Sequence, residues 1–265
     1  MIKTPLSTVI GGAGIWTPGC TVIGGQQNLT QLIKSLFSDG TQGLYLNPQD
    51  AVSVSDLSSI KDLSGRNNHA TQANATSRAS LITDPSGYKS LKFDGIDDGY
   101  VTPSINFTNT DKVTVIAAVR KLSDAAIGML CEFSADLGSN YGSFYLGAPA
   151  TSGNGSITFN SKGTFFAAAT DTSVFAPVSV VVTGYANIAA PLSVIRRNGV
   201  FKNSNSLSQG TGNYGNYPLY IGRRGGTSLP FNGQIYALLV IGKLLDAATT
   251  AKIEKEFAKY IGVTL

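Results

Sequence analysis

The 265-residue chain has 42% hydrophobic and 14% charged residues, which is enough apolar side chain for a sizeable core and too little charge for a disordered tail. Its net charge of +4 comes from scattered Lys and Arg residues with no basic run interleaved with aromatics, a pattern that argues against nucleic-acid binding. Two cysteines, Cys20 and Cys131, are too few for a disulfide framework or a thiolate metal site, so we expect buried free thiols.

The first 27 residues form a glycine-rich segment that differs from the rest of the chain. The sequence TVIGG occurs at residues 8–12 and again at 21–25. We interpret residues 1–27 as an arm for attachment to a partner or for oligomerisation, either as two short strands or as a segment ordered by that partner. The start has no apolar run typical of a signal peptide, and no stretch is long enough for a transmembrane helix. We therefore expect synthesis in a cytoplasm and no membrane insertion.

A short amphipathic helix is predicted within residues 28–42. Asn28 is a favourable N-cap, Gln31 stands at the third helical position of a capping box, and Gly40 is a stop signal. The apolar residues at helical spacing are Leu29, Leu32, Ile33, Leu36 and Phe37. This apolar stripe needs a partner surface, either on the main domain or in an oligomer interface.

From residue 43 to about residue 242, short apolar runs alternate with turn residues at even spacing, which predicts a chain of β-strands. The run VTVIAAV within residues 107–120 is apolar at nearly every position, as in a central strand covered on both faces. Further strands are predicted at residues 127–133, 141–146, 155–160, 164–169, 174–183, 192–201, 218–221 and 234–241. Asn198-Gly199 predicts a two-residue hairpin turn, because a type I′ turn needs positive φ at both positions.

A final helix is predicted after Asp246 as N-cap, with Gly262 at its end. Its apolar face consists of Ile253, Phe257, Tyr260 and Ile261. The element pattern predicts an all-β domain over residues 43–265, a two-sheet β-sandwich or jelly roll with a short N-terminal helix and a C-terminal helix.

The segment LKFDGIDDGYV places Asp94, Asp97 and Asp98 within five positions. Our preferred interpretation is a turn, in which Leu91 and Phe93 are inward strand positions and Asp94-Gly95 begins the reversal. The alternative is a calcium site, because clustered carboxylates and turn carbonyls supply the oxygen ligands that calcium prefers. The spacing is not that of an EF-hand loop.

Catalytic arrangements have little support in the sequence. A glycosidase needs two carboxylates flanking the scissile bond, and Glu132 with Asp136 is the single Glu/Asp pair near a strand end. His69 is the only histidine, so a histidine-rich zinc site is excluded, and no nucleophile elbow accompanies it. We expect the His69 imidazole to bond to local backbone.

Aromatic residues in Gly/Asn-rich loops and at strand ends indicate a recognition surface. Tyrosine, together with Asn and Arg, offers a flat apolar face and planar polar groups, which suits sugar binding and equally suits a protein interface. The candidate ligand residues are Tyr141, Tyr145, Tyr214, Tyr217, Arg223 and Arg224, with Phe144 and Tyr220 beside them.

Four segments carry a family resemblance: SLFSDGTQGLYLNPQD, IKDLSGRNNHATQ, SLKFDGIDDGYV and the stretch that begins LYIGRRGG. Together they resemble the concanavalin A-like, laminin G-like jelly-roll domains of tailed-bacteriophage and prophage structural proteins, from about residue 35 to the C-terminus. The resemblance implies a concanavalin A-like two-sheet sandwich, often a carbohydrate-binding or particle-decorating module and often without catalytic activity.

The function expected from this resemblance is that of a non-enzymatic virion protein for host-surface glycan recognition or particle decoration, on a tail fibre, tail tip or head fibre. Other virion proteins would bind the N-terminal arm, and the protein would be a homo-oligomer, a trimer by analogy with phage fibres. An adhesin would bind a host surface polysaccharide, whereas a decoration protein would have no ligand beyond the particle. No cofactor is expected, and calcium at Asp94, Asp97 and Asp98 is the alternative to a plain turn. The alternative function is a polysaccharide-degrading glycosidase on the same fold.

Overall fold

Alternating apolar and turn residues form sixteen β-strands and two α-helices in residues 28–265, the part of the chain that the computed structural model describes. The strands are β1 (Gly43–Leu46), β2 (Ser59–Ile60), β3 (Ala70–Thr71), β4 (Ser80–Thr83), β5 (Lys89–Asp94), β6 (Tyr100–Asn106), β7 (Lys112–Lys121), β8 (Met129–Phe133), β9 (Ser143–Gly147), β10 (Ile157–Lys162), β11 (Phe166–Asp171), β12 (Val178–Asn187), β13 (Leu192–Arg197), β14 (Val200–Asn205), β15 (Asn216–Ile221) and β16 (Asn232–Ile241). The helices are α1 (Leu29–Leu36) and α2 (Ala247–Tyr260).

The strands form two antiparallel sheets of eight strands each. Sheet A has the order β14-β13-β12-β7-β16-β5-β4, with β1 also paired to β16. Sheet B has the order β11-β10-β9-β8-β15-β6-β3-β2. This arrangement confirms the predicted two-sheet sandwich with a helix at each end of the described chain.

The main core lies between the two sheets and is rich in phenylalanine. Phe133 and Phe144, on neighbouring strands of sheet B, stack with their ring centroids 5.1 Å apart, and Phe159 approaches Phe144 at 6.3 Å. All three side chains are fully buried. Burial of one such side chain stabilises the fold by about 1.5–3 kcal/mol, so this cluster contributes substantially to holding sheet B against sheet A.

A second apolar layer covers the outer face of sheet A. Strand β7 sends Val115 into the inter-sheet core and the next residue, Ile116, into this second layer. The helices supply Ile33 and Phe257 to the same layer. The continuous apolar run predicted for a doubly covered strand is therefore confirmed, and the apolar stripe of α1 packs on the main domain.

The N-cap residues read from the sequence predicted the start of both helices correctly. The Asn28 side chain accepts a hydrogen bond from the Gln31 backbone N–H at 2.8 Å, and the Gln31 side chain accepts one from Asn28, which completes the capping box. Asp246 caps α2 by accepting from the Thr249 N–H at 2.8 Å. These bonds satisfy N–H groups that have no partner within the helix.

Several predicted strand boundaries were wrong by two to five residues; the predicted strand 174–183, for example, is β12 at Val178–Asn187. The predicted strand 192–201 is a hairpin of β13 and β14, whose turn residues Asn198 and Gly199 have φ of 50° and 75°, as the type I′ signal requires. The predicted strand 107–120 begins only at Lys112, because Thr110 donates to the Phe107 carbonyl in a tight turn.

Residues 1–27 lie outside the described part of the chain, and with them the predicted attachment arm and Cys20. Cys131 is a buried free thiol, as expected, and burial raises its pKa to about 12. Between residues 28 and 265, no helix combines the length and the apolar character needed to span a membrane.

Candidate functional site

Sheet B carries a row of polar and aromatic side chains on the face opposite its core. Strand pairing sets Tyr220 beside Glu132, Glu132 beside Tyr145, and Tyr145 beside Asn160. Directly paired residues share one face of a sheet, and their neighbours along each strand point into the core. The buried Oδ1 atom of Asn160 has no hydrogen-bond partner within residues 28–265, which leaves an unmet acceptor on this face.

Two exposed aromatic rings flank a lysine at the end of this row. Phe166 pairs with Lys162 across the β10–β11 hairpin, and Tyr141 comes from the loop between β8 and β9. The Lys162 Nζ lies 4.9 Å from the Tyr141 ring centroid and 4.7 Å from that of Phe166. The rings are 64% and 49% exposed, while the lysine is buried. The result is an outward aromatic pair held by a central cation.

The Lys162 ammonium is also fixed by the backbone. Its Nζ donates to the Leu137 and Gly138 carbonyls at 2.8 Å each. These bonds tie the loop that carries Tyr141 to strand β10. The lysine therefore positions one ring through the loop and the other through strand pairing.

Arg224 reaches back over the same face from the loop after β15. Its Nε donates to Glu132 Oε2 at 2.8 Å, and its guanidinium carbon lies 5.9 Å from the centre of the Tyr145 ring. Glu132 Oε1 accepts from the Leu137 N–H at 2.8 Å. Burial raises the pKa of Glu132 even though Arg224 stabilises the charged form. We name Tyr141, Tyr145, Lys162, Phe166 and Arg224 the aromatic–cationic patch.

The structure brings together three of the six predicted ligand residues, Tyr141, Tyr145 and Arg224. Tyr214 is a correction: it is only 1% exposed, its ring meets Phe144 edge-on at 5.6 Å, and its hydroxyl lies 2.7 Å from Ser161 Oγ. A buried core tyrosine has no surface to offer a ligand. Tyr217 is half-buried, and its hydroxyl donates to the Tyr141 carbonyl at 3.1 Å.

Arg223 belongs to the aspartate turn. Its Nη1 donates to the Asp97 carbonyl at 3.0 Å, and its Nη2 donates to the Thr227 carbonyl at 2.8 Å. The guanidinium therefore ties the loop after β15 to the turn between β5 and β6. We assign Arg223 to this structural contact.

The predicted turn at residues 94–98 is formed by its own carboxylates. Asp94 Oδ1 accepts from the Ile96 N–H at 2.8 Å, and Asp98 Oδ2 accepts from the Asp94 N–H at 2.9 Å. Gly95 has φ of +77°, and Leu91 and Phe93 are buried as expected. Asp94, Asp97 and Asp98 each offer a carboxylate oxygen within 4.8 Å of the others. Burial, with the neighbouring Asp94 and Asp97, raises the pKa of Asp98. The carboxylates of Asp94 and Asp98 accept hydrogen bonds within the turn, and calcium binding stays the untested alternative.

The DLSGRNNH segment is a structural turn. Its Asp62 carboxylate accepts from the backbone N–H groups of Tyr45, Ser64 and Asn68 at 2.8–3.0 Å. His69 Nδ1 accepts from the Asp62 N–H at 3.0 Å, so the expected local role of the histidine is confirmed.

Sequence reasoning missed Lys162, Phe166 and Asn160. One signal could have found two of them: Asn160 and Lys162 alternate with the buried Phe159 and therefore share the outward face of β10. The partnership with Phe166 depends on the hairpin register, which local pattern does not fix.

Comparisons with known proteins agree with this architecture. The family model described as the concanavalin A-like lectin/glucanases superfamily matches residues 94–250. No curated protein sequence matches the chain.

Solved structures with similar folds include the ligand-binding domain of botulinum neurotoxin serotype D in complex with N-acetylneuraminic acid, with a TM-score of 0.60 and 15% identity over 84% of this chain and 54% of that chain. The binding domain of Paraclostridial mosquitocidal protein 1 has a TM-score of 0.59 and 14% identity, over 86% of this chain and 53% of that chain. Domain 4 of a GH43 extracellular arabinanase from Geobacillus stearothermophilus, in complex with arabinotriose, has a TM-score of 0.57 and 14% identity, over 81% of this chain and 98% of that chain. The chain spans about half the length of the two toxin domains, and at these identities the likeness shows the fold alone.

Proposed function

This chain belongs to the concanavalin A-like lectin/glucanase superfamily, and from that membership we propose that it is a non-catalytic saccharide-binding domain whose ligand lies on the aromatic–cationic patch. The observation that carries the proposal is the pair of exposed rings, Tyr141 and Phe166, on either side of Lys162. Two of the similar structures contain a bound saccharide, which supports the same ligand class here.

The chemistry of the patch suits a sugar ring. Exposed aromatic faces bury the apolar C–H face of a pyranose or furanose, and a few fixed polar groups orient the hydroxyls. Arg224 is partly exposed and has N–H donors beyond the one that bonds Glu132, and saccharide hydroxyls would accept from them. The Asn160 side-chain Oδ1 lacks a hydrogen-bond partner within residues 28–265, but it is buried beneath the surface that a sugar would contact.

The glycosidase alternative fits the geometry less well. A catalytic acid must reach the leaving-group oxygen, whereas Glu132 is fully buried and both of its carboxylate oxygens accept hydrogen bonds, from Leu137 and Arg224. The Asp136 carboxylate accepts hydrogen bonds from the Gly138 N–H and the Ser139 hydroxyl, and these bonds lower its pKa. Sugar release from a polysaccharide that is lost in Glu132→Gln would support the enzyme instead.

We extend the proposal to the particle of a tailed bacteriophage, where the domain would recognise a host-surface glycan or decorate the capsid as a homo-oligomer attached through residues 1–27. This step rests on the sequence motifs DLSGRNNHATQ and FDGIDD. Gold labelling of particles with an antibody against residues 43–265 tests it. Label at the tail favours host recognition, label over the head favours decoration, and unlabelled particles contradict the virion role.

Glycan-array binding followed by titration calorimetry tests the saccharide proposal. We expect Tyr141→Ala and Phe166→Ala each to weaken binding about tenfold, since truncating an aromatic anchor costs on the order of 1.4 kcal/mol. Phe201→Ala is the matched control, because Phe201 is a 55% exposed phenylalanine on β14, which belongs to sheet A, whereas Tyr145, Lys162 and Phe166 of the patch lie on strands of sheet B. Equal affinity in all four proteins would refute the assignment of the patch.

A further inference from the structure

A concave site separate from the aromatic–cationic patch lies at the end of the sandwich, between the chain before β1 and the β6–β7 turn. The cavity has a volume of about 340 Å³, within the range of small-molecule pockets. Its lining residues are Gly40, Thr41, Gln42, Asn106, Phe107, Asn109, Thr110 and Gly242. None of these lining residues carries a charge, so the cavity suits a neutral ligand better than an ion.

The lining offers hydrogen-bonding groups that the fold does not use up. Asn106 Oδ1 accepts from the Thr108 N–H and hydroxyl, which leaves its NH₂ group as a donor. Gln42 Nε2 donates to the Gly40 carbonyl, which leaves Oε1 as an acceptor. Asn109 is exposed at the rim and Thr41 is half-buried. Side-chain amides with hydrogen-bonding groups to spare therefore line the cavity, as recognition of a polyol requires.

The wall of this cavity requires glycine at position 242. A Cβ atom at Gly242 would lie 2.9 Å from ring carbons of Phe107, whose position in the core leaves it no room to move. The Gly242 N–H donates to the Gln42 carbonyl at 3.0 Å and so fixes the wall of the cavity. The shape is thus set by buried, well-packed residues.

Hydrogen bonds connect the cavity to the aromatic–cationic patch. The Tyr214 N–H donates to the Thr110 carbonyl at 2.9 Å, and the Gly215 N–H donates to the Gly142 carbonyl at 2.8 Å. Gly142 directly follows Tyr141 in the sequence. One loop, residues 213–215, therefore lies between the cavity and the patch.

We propose that this cavity is a second saccharide subsite that takes one uncharged sugar residue, so that the ligand is an oligosaccharide or polysaccharide that contacts both the cavity and the patch. The inference rests on the proposed saccharide-binding function and adds to it the ligand's length and the neutrality of one of its residues. A chain that contacts two subsites gains affinity because the second contact is intramolecular.

Two-dimensional NMR of the full chain tests this, because the side-chain amides of Gln42, Asn106 and Asn109 give their own signals. The probes are glucose, galactose, arabinose and N-acetylglucosamine at millimolar concentration. We expect at least one sugar to shift these signals saturably, with the shift reduced at least fivefold in Asn109→Ala and in Thr41→Val. Asn154→Ala is the matched control, since Asn154 is an exposed amide in the loop between β9 and β10.

The outcomes separate the two proposals. If the Tyr141 and Phe166 signals shift while the three cavity amides do not, the second subsite is refuted and the proposed function stands. If no signal in either place shifts with any sugar or with a glycan selected on the array, both are refuted. If Asn154→Ala reduces the cavity shifts as much as Asn109→Ala does, the assignment of the cavity is overturned.

Discussion

Replacing Arg224 with methionine removes one member of the ion pair that Arg224 forms with Glu132, and so tests what this pair contributes to stability. Glu132 is fully buried and its partner side chain is 25% exposed, with a 2.8 Å contact between them. Removal of one member of a buried pair costs about 3–5 kcal/mol, because it leaves an uncompensated charge. Partial exposure of Arg224 lets water relieve part of this, so we expect Arg224→Met to lower the free energy of unfolding by about 3 kcal/mol at pH 7.

The pH dependence of this loss has a definite sign. Burial already raises the pKa of Glu132 above its unfolded value, so protonation of this carboxyl favours the folded state. Without Arg224 the pKa rises further. The loss in Arg224→Met should therefore be largest at neutral pH and should shrink as the pH falls through the raised pKa.

Urea unfolding at pH 7 and pH 5 measures the difference in unfolding free energy between each variant and wild type. The contributions of the other carboxyls cancel in this difference, because they titrate in both proteins. The double variant Arg224→Met/Glu132→Gln should recover most of the stability, because a neutral amide can still accept from the Leu137 N–H. An equal loss at both pH values, or a double variant as unstable as the single one, would refute the uncompensated-charge argument.

Three further changes test other parts of the fold. Asp98→Asn should raise the free energy of unfolding at pH 7, because it removes a carboxylate whose pKa is raised by burial and by two neighbouring aspartates; this gain should shrink as the pH is lowered. Calcium chloride should leave the wild-type melting temperature unchanged. A saturable increase in melting temperature that Asp98→Asn abolishes would instead establish the calcium site. Tyr214→Phe should cost about 1 kcal/mol in chemical denaturation by removing the contact with Ser161, and should leave saccharide affinity unchanged because the side chain is buried. Asp246→Ala should cost about 1 kcal/mol by removing the cap on Thr249, measured by the same denaturation.

Short-range signals predicted the elements whose formation is decided locally. The capping box of Asn28 and Gln31, the cap at Asp246 and the Asn198-Gly199 turn each need only the residues within a few positions. The sequence of β7 is apolar at nearly every position, and this correctly predicted a strand that is covered on both faces. The strand ends were less accurate, because the turn at Phe107 and Thr110 is held by hydrogen bonds to distant residues such as Gly215 and Tyr214.

The candidate site depended on contacts that are distant in sequence. Tyr214 has the local context of an exposed loop tyrosine, yet its hydroxyl meets Ser161, which is 53 positions away, and the Phe144 ring closes over it. Arg224 reaches Glu132 from 92 positions away. Whether a loop aromatic lies in the core or at the surface is decided by such pairings, which composition and periodicity do not reveal.

The position of the polar, aromatic face follows from which faces of the two sheets need apolar cover. Strands such as β7 are apolar on both sides, so the outer face of sheet A would expose Ile116 and Leu239 unless helices covered it, and α1 and α2 supply that cover. Strands β8 to β10 place Glu132, Tyr145 and Asn160 outward, and these side chains need hydrogen-bond partners more than apolar cover. The same alternation that builds the core of sheet B thus leaves a polar, aromatic outer face, which is the face proposed to bind saccharide.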